Sequence, residues 1–366
     1  MTATEFGELQ QGLGFKPSPE GLLTDDELNA CLDYGEMIRT DWMHDYLQHG
    51  VFSKEANAFL EAAERVGVPL SSWRDFLRAD WQFPHARGSK AQLHEIFSEF
   101  RESRGEGIKP KASEWIGLYS LMRHYVEVWL ADIEHVTRER RSFEAACHVM
   151  DLILDMKKGM VNNWPEAAEA LRLAQMRHAA LHEEAYGTRL IVPKHHAALH
   201  VPEQVQADRC VWDMFIIERL NVRAKAVAEP ILNTAAFEDS VLASLLTVQL
   251  NSLASGSGIL AGLMGASKRL DLDADDALYA RGVHEKGRVL WERDVVMSGV
   301  RVGVVLAGEQ RHNNYSVIVQ LLQEEGHRTR SSCRYRTSNV LDSFRVRDAV
   351  EAAAWYADGD SLVVLW

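Results

Sequence analysis

The chain has 366 residues, of which 46% are hydrophobic and 25% charged, a composition typical of a globular protein large enough for two domains. Its net charge of −13 excludes DNA binding over the whole surface, so a nucleic-acid function would need a local basic patch. No stretch approaches the roughly 18 apolar residues of a membrane helix, and the acidic N-terminus lacks a secretion signal. We therefore expect an intracellular protein, of the nucleus or cytoplasm, with no membrane partner.

The first 254 residues predict helices. Residues 1–24 contain several glycines and prolines and predict a loose lead-in, followed by a short helix near Asp25. Residues 25–254 predict a helical core, in which residues 53–187 form a bundle joined by short loops. The signals are candidate N-caps and helix ends, namely Ser53, Ser89, Ser113, Pro165 and Gly187.

The last part of the chain predicts strands. Residues 255–288 are a predicted linker that begins with a glycine-rich run, and residues 289–366 a small β-rich, barrel-like domain. Valines alternate at 300–304 and again at 317–319, and Arg328–Arg336 and Ser361–Leu365 are further predicted strands. A short helix is predicted around Arg347 to Tyr356. The predicted fold class is thus α+β, mainly helical.

Four arginines alternate along one predicted strand and form the candidate nucleic-acid contact: Arg328, Arg330, Arg334 and Arg336. Side chains two residues apart on a strand share a face, so together they could contact phosphate. The alternative is a solvated or salt-bridged strand face with no nucleic-acid role.

Histidines and an aspartate suggest a zinc site. His196 and His200 are four residues apart and would share one face of a helix, which makes a workable half-site for zinc. Ala197 stands where the HExxH motif has its general base, so a zinc protease is excluded. The segment Asp41-Trp42-Met43-His44 could supply the other ligands of a structural site. The alternative is that these histidines are hydrogen-bonded and bind no metal.

One carboxylate lies in an apolar run. Glu218 is placed within Met214–Leu220, just before Arg219 and Arg223. A carboxylate in apolar surroundings is costly unless it is paired or bound to a metal. Glu218 is therefore either half of an ion pair or a ligand of a divalent metal in phosphoryl-transfer chemistry.

Three segments in this order resemble the cut-and-paste DNA transposases of the CACTA superfamily, including transposon-derived proteins of dinoflagellates. They are Asp41-Trp42-Met43-His44, the stretch from Pro193 to His200, and Ile216-Ile217-Glu218-Arg219, with a long helical insertion between the first two. The resemblance covers roughly residues 22–254, and loosely the tail from Ala354 to Leu365.

The resemblance implies an RNase H-like catalytic core in which two aspartates and one glutamate hold two Mg²⁺ ions for strand cleavage. Glu218 matches that glutamate. The positions linked to structural zinc match Asp41, His44, His195 or His196, and His200. Only 40 residues precede Asp41, and Asp25, Asp26 and Asp33 among them fall in a predicted helix and not at the ends of strands. The expectation is a cleavage-incompetent remnant with a DNA- or protein-binding role.

Two other interpretations stay open. The chain could be an active, metal-dependent transposase or nuclease that another chain completes. It could also be a metal-free helical interaction module. If the helix bearing Glu218 has lost its sheet, it exposes an apolar face, which favours a homo-oligomer or a protein partner.

Overall fold

The computed structural model describes residues 39–78, 81–84, 107–108, 110–215, 225–231, 237–254, 262–264, 268–269, 277–285, 288–311, 314–326, 328–347 and 351–365. It is a mixture of helices and antiparallel sheet, which confirms the α+β prediction at that level. The predicted helix near Asp25, the Ser89 cap and Glu218 lie outside the described residues.

Nine α-helices are assigned within the described residues. They are α1 (Trp42–Tyr46), α2 (Val51–Arg65), α3 (Leu70–Arg78), α4 (Ala112–His124), α5 (Thr137–Lys157), α6 (Trp164–Tyr186), α7 (Pro193–Ala198), α8 (Val201–Asp208) and α9 (Phe237–Ala254). A π-helical turn, Tyr125–Trp129, continues α4. None of them is long and apolar enough to cross a membrane.

The ends of the helices follow local signals where those signals are strong. Asn163 caps α6 by accepting a hydrogen bond from the Glu166 N–H, and Pro165 occupies its first turn. The helix ends at Gly187, whose φ of +69° is the left-handed conformation that glycine tolerates. Both ends of α6 were predicted from the sequence, and the structure confirms them.

Helix α2 begins two residues earlier than its predicted cap. Gly50 is the N-cap, and Ser53 lies buried inside the helix. A side chain at Gly50 would collide with the backbone carbonyl of Asp45, so only glycine fits where the chain turns from α1 into α2. The predicted Ser53 cap is therefore wrong.

The chain divides into two compact units that are each built from separate stretches of sequence. The first comprises Met1–Gly67, Lys109–Trp115 and Glu134–Phe215. The second comprises Val68–Ile108, Ile116–Ile133 and Ile216–Trp366.

The core of the first unit is aromatic. Phe52 and Phe59 stand seven residues apart on one face of α2, and both pack against Phe143 of α5, with ring centroids 5.9 and 5.4 Å apart. Trp115 closes on Phe52 edge to face at 5.5 Å. All four side chains are fully buried, and each contributes roughly 1.5–3 kcal/mol through burial of apolar surface.

The second unit contains all twelve described strands. They are β1 (Gly262–Met264), β2 (Lys268–Arg269), β3 (Ala277–Ala280), β4 (Gly282–Glu285), β5 (Arg288–Trp291), β6 (Val295–Ser298), β7 (Arg301–Arg311), β8 (Asn314–Glu324), β9 (Ser332–Arg345), β10 (Glu351–Ala353), β11 (Trp355–Asp358) and β12 (Ser361–Leu365). The main sheet has the order β10-β6-β7-β8-β9-β12-β11, and β3, itself paired with β2, also pairs with β7. Strands β1, β4 and β5 form a separate three-stranded sheet.

The predicted valine alternations are confirmed for Val302 and Val304 in β7 and for Val317 and Val319 in β8, whereas Val300 precedes β7 and is 87% exposed. Val302, Val305, Val317 and Val319 are buried in the sheet core. A β-bulge between Val305 and Ala307 shifts the register, and for this reason the simple alternation of the sequence breaks there.

The barrel-like prediction is wrong. Among the described strands, β10 and β11 stand at the two ends of the sheet and do not pair with each other. Strand β10 pairs with β6 and β11 pairs with β12, so the sheet is open. Only Ala354 separates these two end strands in sequence. The open sheet must therefore curl until its two ends lie one residue apart.

The predicted helix around Arg347 to Tyr356 is also wrong, since β10 and β11 occupy all of its described residues after Arg347 except Ala354. The segment Glu351-Ala352-Ala353-Ala354 favours a helix by propensity, but its backbone groups pair with β6 and β12 instead. Tertiary hydrogen bonding overrides the local preference.

Part of the predicted helical bundle packs with this sheet in the second unit. Gln82 forms an antiparallel bridge to Trp355, with N···O distances of 2.7 and 3.0 Å in the two directions. The Trp81 ring contacts Tyr356 edge to face at 4.6 Å. Trp73 and Tyr125 extend the aromatic cluster, with ring centroids 4.9 Å apart.

Candidate functional site

The two motif segments that sequence analysis singled out lie together in the first unit. Asp41 caps α1 by accepting a hydrogen bond from the Met43 N–H at 2.9 Å, and its second oxygen pairs with the His44 ring. The Lys194 ammonium, 150 residues away in sequence, donates to the His44 carbonyl at 3.0 Å and to that of Gln48. Lys194 thereby fixes α7 against the end of α1.

Asp45 is a charged residue of this region that sequence reasoning missed. Its side chain is buried, and one carboxylate oxygen has no hydrogen-bond partner among the described residues. Burial, followed by the negative charge of Asp41, raises the pKa of Asp45 to about 7, against the opposing influence of Lys194, His44 and His200. The carboxyl group is therefore close to half-protonated at neutral pH.

His196 and His200 are neighbours but do not share one helix as predicted. Their rings are 5.1 Å apart, with His196 in α7 and His200 in the turn before α8. Pro202 in the first turn of α8 has no N–H to donate to the Ala198 carbonyl, and that carbonyl accepts from Gln175 instead, at 2.8 Å. The prediction of one continuous helix is thus wrong, and the turn between α7 and α8 holds the two rings close together.

The predicted zinc ligands do not gather around one point. Among the described residues, ligand atoms of three candidates lie within 4.8 Å of one another at a different place, formed by Glu55, His178 and His182. Zinc binding by the motif residues stays a prediction for Asp41, His44, His195, His196 and His200.

This second group, here called the Glu55 cluster and comprising Glu55, His178, His182 and Tyr186, joins α2 to α6. His178 and His182 are four residues apart and share the face of α6 that meets α2. Glu55 Oε2 lies 3.0 Å from His178 Nε2 and 2.6 Å from His182 Nδ1. The Tyr186 hydroxyl donates to the other carboxylate oxygen at 3.2 Å.

The electrostatics of the Glu55 cluster keep its carboxylate ionised. Glu55 is 0% exposed, and this burial alone would raise its pKa. The hydrogen bonds and charges of His178 and His182 outweigh burial and lower the pKa to about 2. Burial and the nearby negative charge of Glu55 raise the pKa of Tyr186, which therefore remains a hydroxyl donor.

His195, one of the predicted ligands, lies beside the Glu55 cluster. Its ring is 5.4 Å from that of His182, and its Nδ1 accepts from the Val192 N–H at 3.2 Å. Burial, followed by the neighbouring His182 and His178, lowers the pKa of His195 to about 4, so the ring is neutral at pH 7 with its proton on Nε2. The Nε2 atoms of His195 and His182 are buried without a partner among the described residues.

A cavity of about 280 Å³ adjoins the cluster. Its lining includes four histidines, His178, His182, His195 and His196, together with Tyr46, Ile191 and Leu199. Ile191 and Leu199 are about half exposed, so the cavity borders the surface on this apolar side. The cavity is large enough for water and for a small ligand.

One sequence signal could have found the cluster. The pentapeptide His-Ala-Ala-Leu-His occurs twice, at 178–182 and at 196–200. Sequence reasoning used the second copy alone. Glu55 lies 123 residues from His178, and no sequence motif around it indicates that it contacts the histidines. The two copies differ in burial, which spacing does not encode.

The predicted arginine patch is only partly on a strand. Strand β9 begins at Ser332, so Arg328 and Arg330 precede it, and the predicted strand Arg328–Arg336 begins too early. Arg334 and Arg336 share an exposed face of β9. Arg334 pairs with Asp358, and Arg336 pairs with Glu325 at 2.7 Å. These two ion pairs offset part of the positive charge that would contact phosphate.

No known protein family, curated protein or solved structure matches this chain.

Proposed function

We propose that the chain is a transposase-derived protein that does not cleave DNA and whose helical region, a remnant of an RNase H-like core with its insertion, serves in binding. The observation that carries the proposal is the contact between the Asp41–His44 helix and the Pro193–His200 segment through Lys194. In the transposases that this chain resembles, the same two motifs flank a long helical insertion. A chance match of short motifs gives no reason for them to meet in space.

Loss of cleavage follows from the chemistry of two-metal catalysis. Two Mg²⁺ ions need several carboxylates held together, and Glu218 alone would supply one. Glu218 is the one residue that the resemblance matches to this carboxylate set, and the described part of residues 39–254 contains helices and no strand of an RNase H-like sheet.

A protein partner fits the surface better than DNA. The net charge is −13, and Arg334 and Arg336 are engaged with carboxylates. Helix α9 exposes a stripe of leucines at four-residue spacing, with Leu242, Leu246 and Leu250 respectively 58%, 49% and 64% exposed. Contiguous exposed apolar surface of this kind is typical of protein contacts, and we propose a second copy of the chain as the partner.

The test is a nicking assay on supercoiled plasmid with Mg²⁺ and with Mn²⁺, using the full chain and Glu218→Gln. We expect no nicking above background from either protein. Metal-dependent nicking that disappears in Glu218→Gln would overturn the proposal and favour an active nuclease.

DNA binding is measured separately, by fluorescence anisotropy with a labelled duplex at two salt concentrations. Arg334→Ala/Arg336→Ala is the matched variant. Strong, salt-sensitive binding that this variant loses would replace the protein-partner proposal with a DNA-binding one.

A further inference from the structure

We propose that Glu55, His178 and His182 form a binding site for a first-row divalent transition-metal ion, separate from the motif residues. The three residues come from two helices and meet entirely inside the first unit. This metal site does not depend on whether the chain descends from a transposase.

The donor set fits such an ion. Two imidazole nitrogens and one carboxylate oxygen are ligands that zinc and its neighbours bind in proteins, with metal–ligand distances of about 2.0–2.2 Å. Tetrahedral ligands at that range stand about 3.3 Å apart. Here Glu55 Oε2 is 3.0 and 2.6 Å from the two imidazole nitrogens, about 0.3 and 0.7 Å closer than in a coordinating arrangement. All three ligand atoms lie within 4.8 Å of one another.

Burial and charge also favour a cation. His178 and His182 are 3% and 1% exposed, and Glu55 carries its negative charge away from solvent. A buried carboxylate is stable when it is paired or coordinates a metal. Tyr186 holds the second oxygen of Glu55 and so orients the carboxylate for binding through the first, the role that outer-shell partners have in metal sites.

The adjoining cavity has space for a ligand at the coordination position that the three protein side chains do not fill. A four-coordinate ion held by Glu55, His178 and His182 would retain one position for water or a small oxygen ligand. His178, His182 and His195 line this cavity, and the Nε2 proton of His195 is a donor without a partner among the described residues.

The chain contains its own control for this site. The second His-Ala-Ala-Leu-His copy, at 196–200, has the same spacing but runs from α7 into the turn before α8, and both of its histidines are exposed. Among the described residues it belongs to no group of three ligand atoms within 4.8 Å. If histidine spacing alone bound the metal, both copies would contribute equally.

The experiment is metal loading of the full chain. The protein is stripped with a chelator, dialysed against Zn²⁺ and analysed by mass spectrometry, in parallel with Co²⁺, whose visible absorption reports ordered nitrogen and oxygen ligation. We expect about one ion per chain in the wild type and in His196→Ala/His200→Ala. We expect loss of the bound ion in His178→Ala/His182→Ala.

Glu55→Gln is a second variant that tests metal binding if His178→Ala/His182→Ala does not fold. It keeps the size and one oxygen of the side chain, and we expect zinc affinity to fall by at least about 100-fold, more than removal of an outer-shell partner costs. Circular dichroism shows whether each protein is folded before loading.

Two results would overturn the inference. One is a folded wild-type protein that binds no zinc, which leaves Glu55 as a buried carboxylate held by hydrogen bonds. The other is zinc that is lost in His196→Ala/His200→Ala and kept in Glu55→Gln, which would assign the metal to the motif residues. Neither result affects the nicking assay, so failure of this inference is distinguishable from failure of the proposed function.

Discussion

Among single residues, Asp45 stands out because its carboxyl group is buried with incomplete compensation. Its pKa in the folded protein, about 7, lies well above its ordinary value of 3.8. The folded state therefore binds an extra proton between these values, and this group's contribution to stability falls as pH rises from about 4 to 7.

Asp45→Asn should remove the free-energy cost of ionising this buried carboxyl group. We expect the variant to be more stable than the wild type at pH 8, by on the order of 2 kcal/mol, and to lose this advantage near pH 4. Urea denaturation at the two pH values measures the difference. Glu183→Gln, at an exposed position on α6, is the control and should show no such pH dependence. Equal stability of Asp45→Asn and wild type at pH 8 would mean that the buried charge costs nothing.

Glu55 predicts the opposite pH dependence. Its pKa is depressed to about 2 from 4.5, so its contribution to stability is present above pH 4.5 and is lost as pH falls toward 2. For metal-free protein we expect this contribution to be roughly 3 kcal/mol, from the size of the pKa shift. The difference in free energy of unfolding between wild type and Glu55→Gln should shrink across that window. A constant difference would contradict the assigned pKa.

At the level of elements, one buried amide connects three helices of the first unit. Gln175 of α6 donates from Nε2 to the Tyr46 hydroxyl of α1 and to the Ala198 carbonyl of α7, both at 2.8 Å. The second of these bonds satisfies the carbonyl that Pro202 leaves without a helical donor.

Gln175→Met keeps the length of the side chain but removes both hydrogen bonds. We expect a loss of about 2–3 kcal/mol in the free energy of unfolding, because a buried carbonyl is left without its donor. Gln206→Met, on the exposed side of α8, is the matched control and should change stability by less than about 0.5 kcal/mol. Equal effects of the two substitutions would show that α7 does not depend on Gln175.

The elements also show what the sequence could predict. The ends of α6 were predictable because Pro165 and Gly187 act through their own backbone conformations. Strands β10 and β11 were not, because their partners β6 and β12 decide their conformation and Glu351-Ala352-Ala353-Ala354 taken alone favours a helix.

The candidate site shows the same contrast. The spacing of His196 and His200 is visible locally, whereas the Glu55 cluster depends on a contact between residues 123 positions apart. Histidine spacing recurs in both copies of the pentapeptide, which differ in burial and in whether the helix continues through them. Burial is a property of the folded unit, so sequence reasoning selected the exposed copy.

For the whole molecule, the exposed leucines of α9 predict self-association. We expect the wild-type chain to be at least dimeric at micromolar concentration and Leu246→Glu to be monomeric, because a charge would then lie in the apolar contact. Light scattering coupled to size-exclusion chromatography measures the mass. Leu341→Glu is the matched control, since Leu341 is 63% exposed on β9 and lies outside that stripe. A monomeric wild type would contradict the prediction.

The bridge between Gln82 and Trp355 has a consequence for how the protein is made. The two residues are paired in one unit but separated by most of the chain. At a ribosomal rate of about 5–20 residues per second, Gln82 emerges roughly 15–50 s before Trp355 is synthesised. Trp81 therefore spends that interval without Tyr356, the strand residue that its ring finally contacts. During synthesis this apolar side chain lacks part of its final packing.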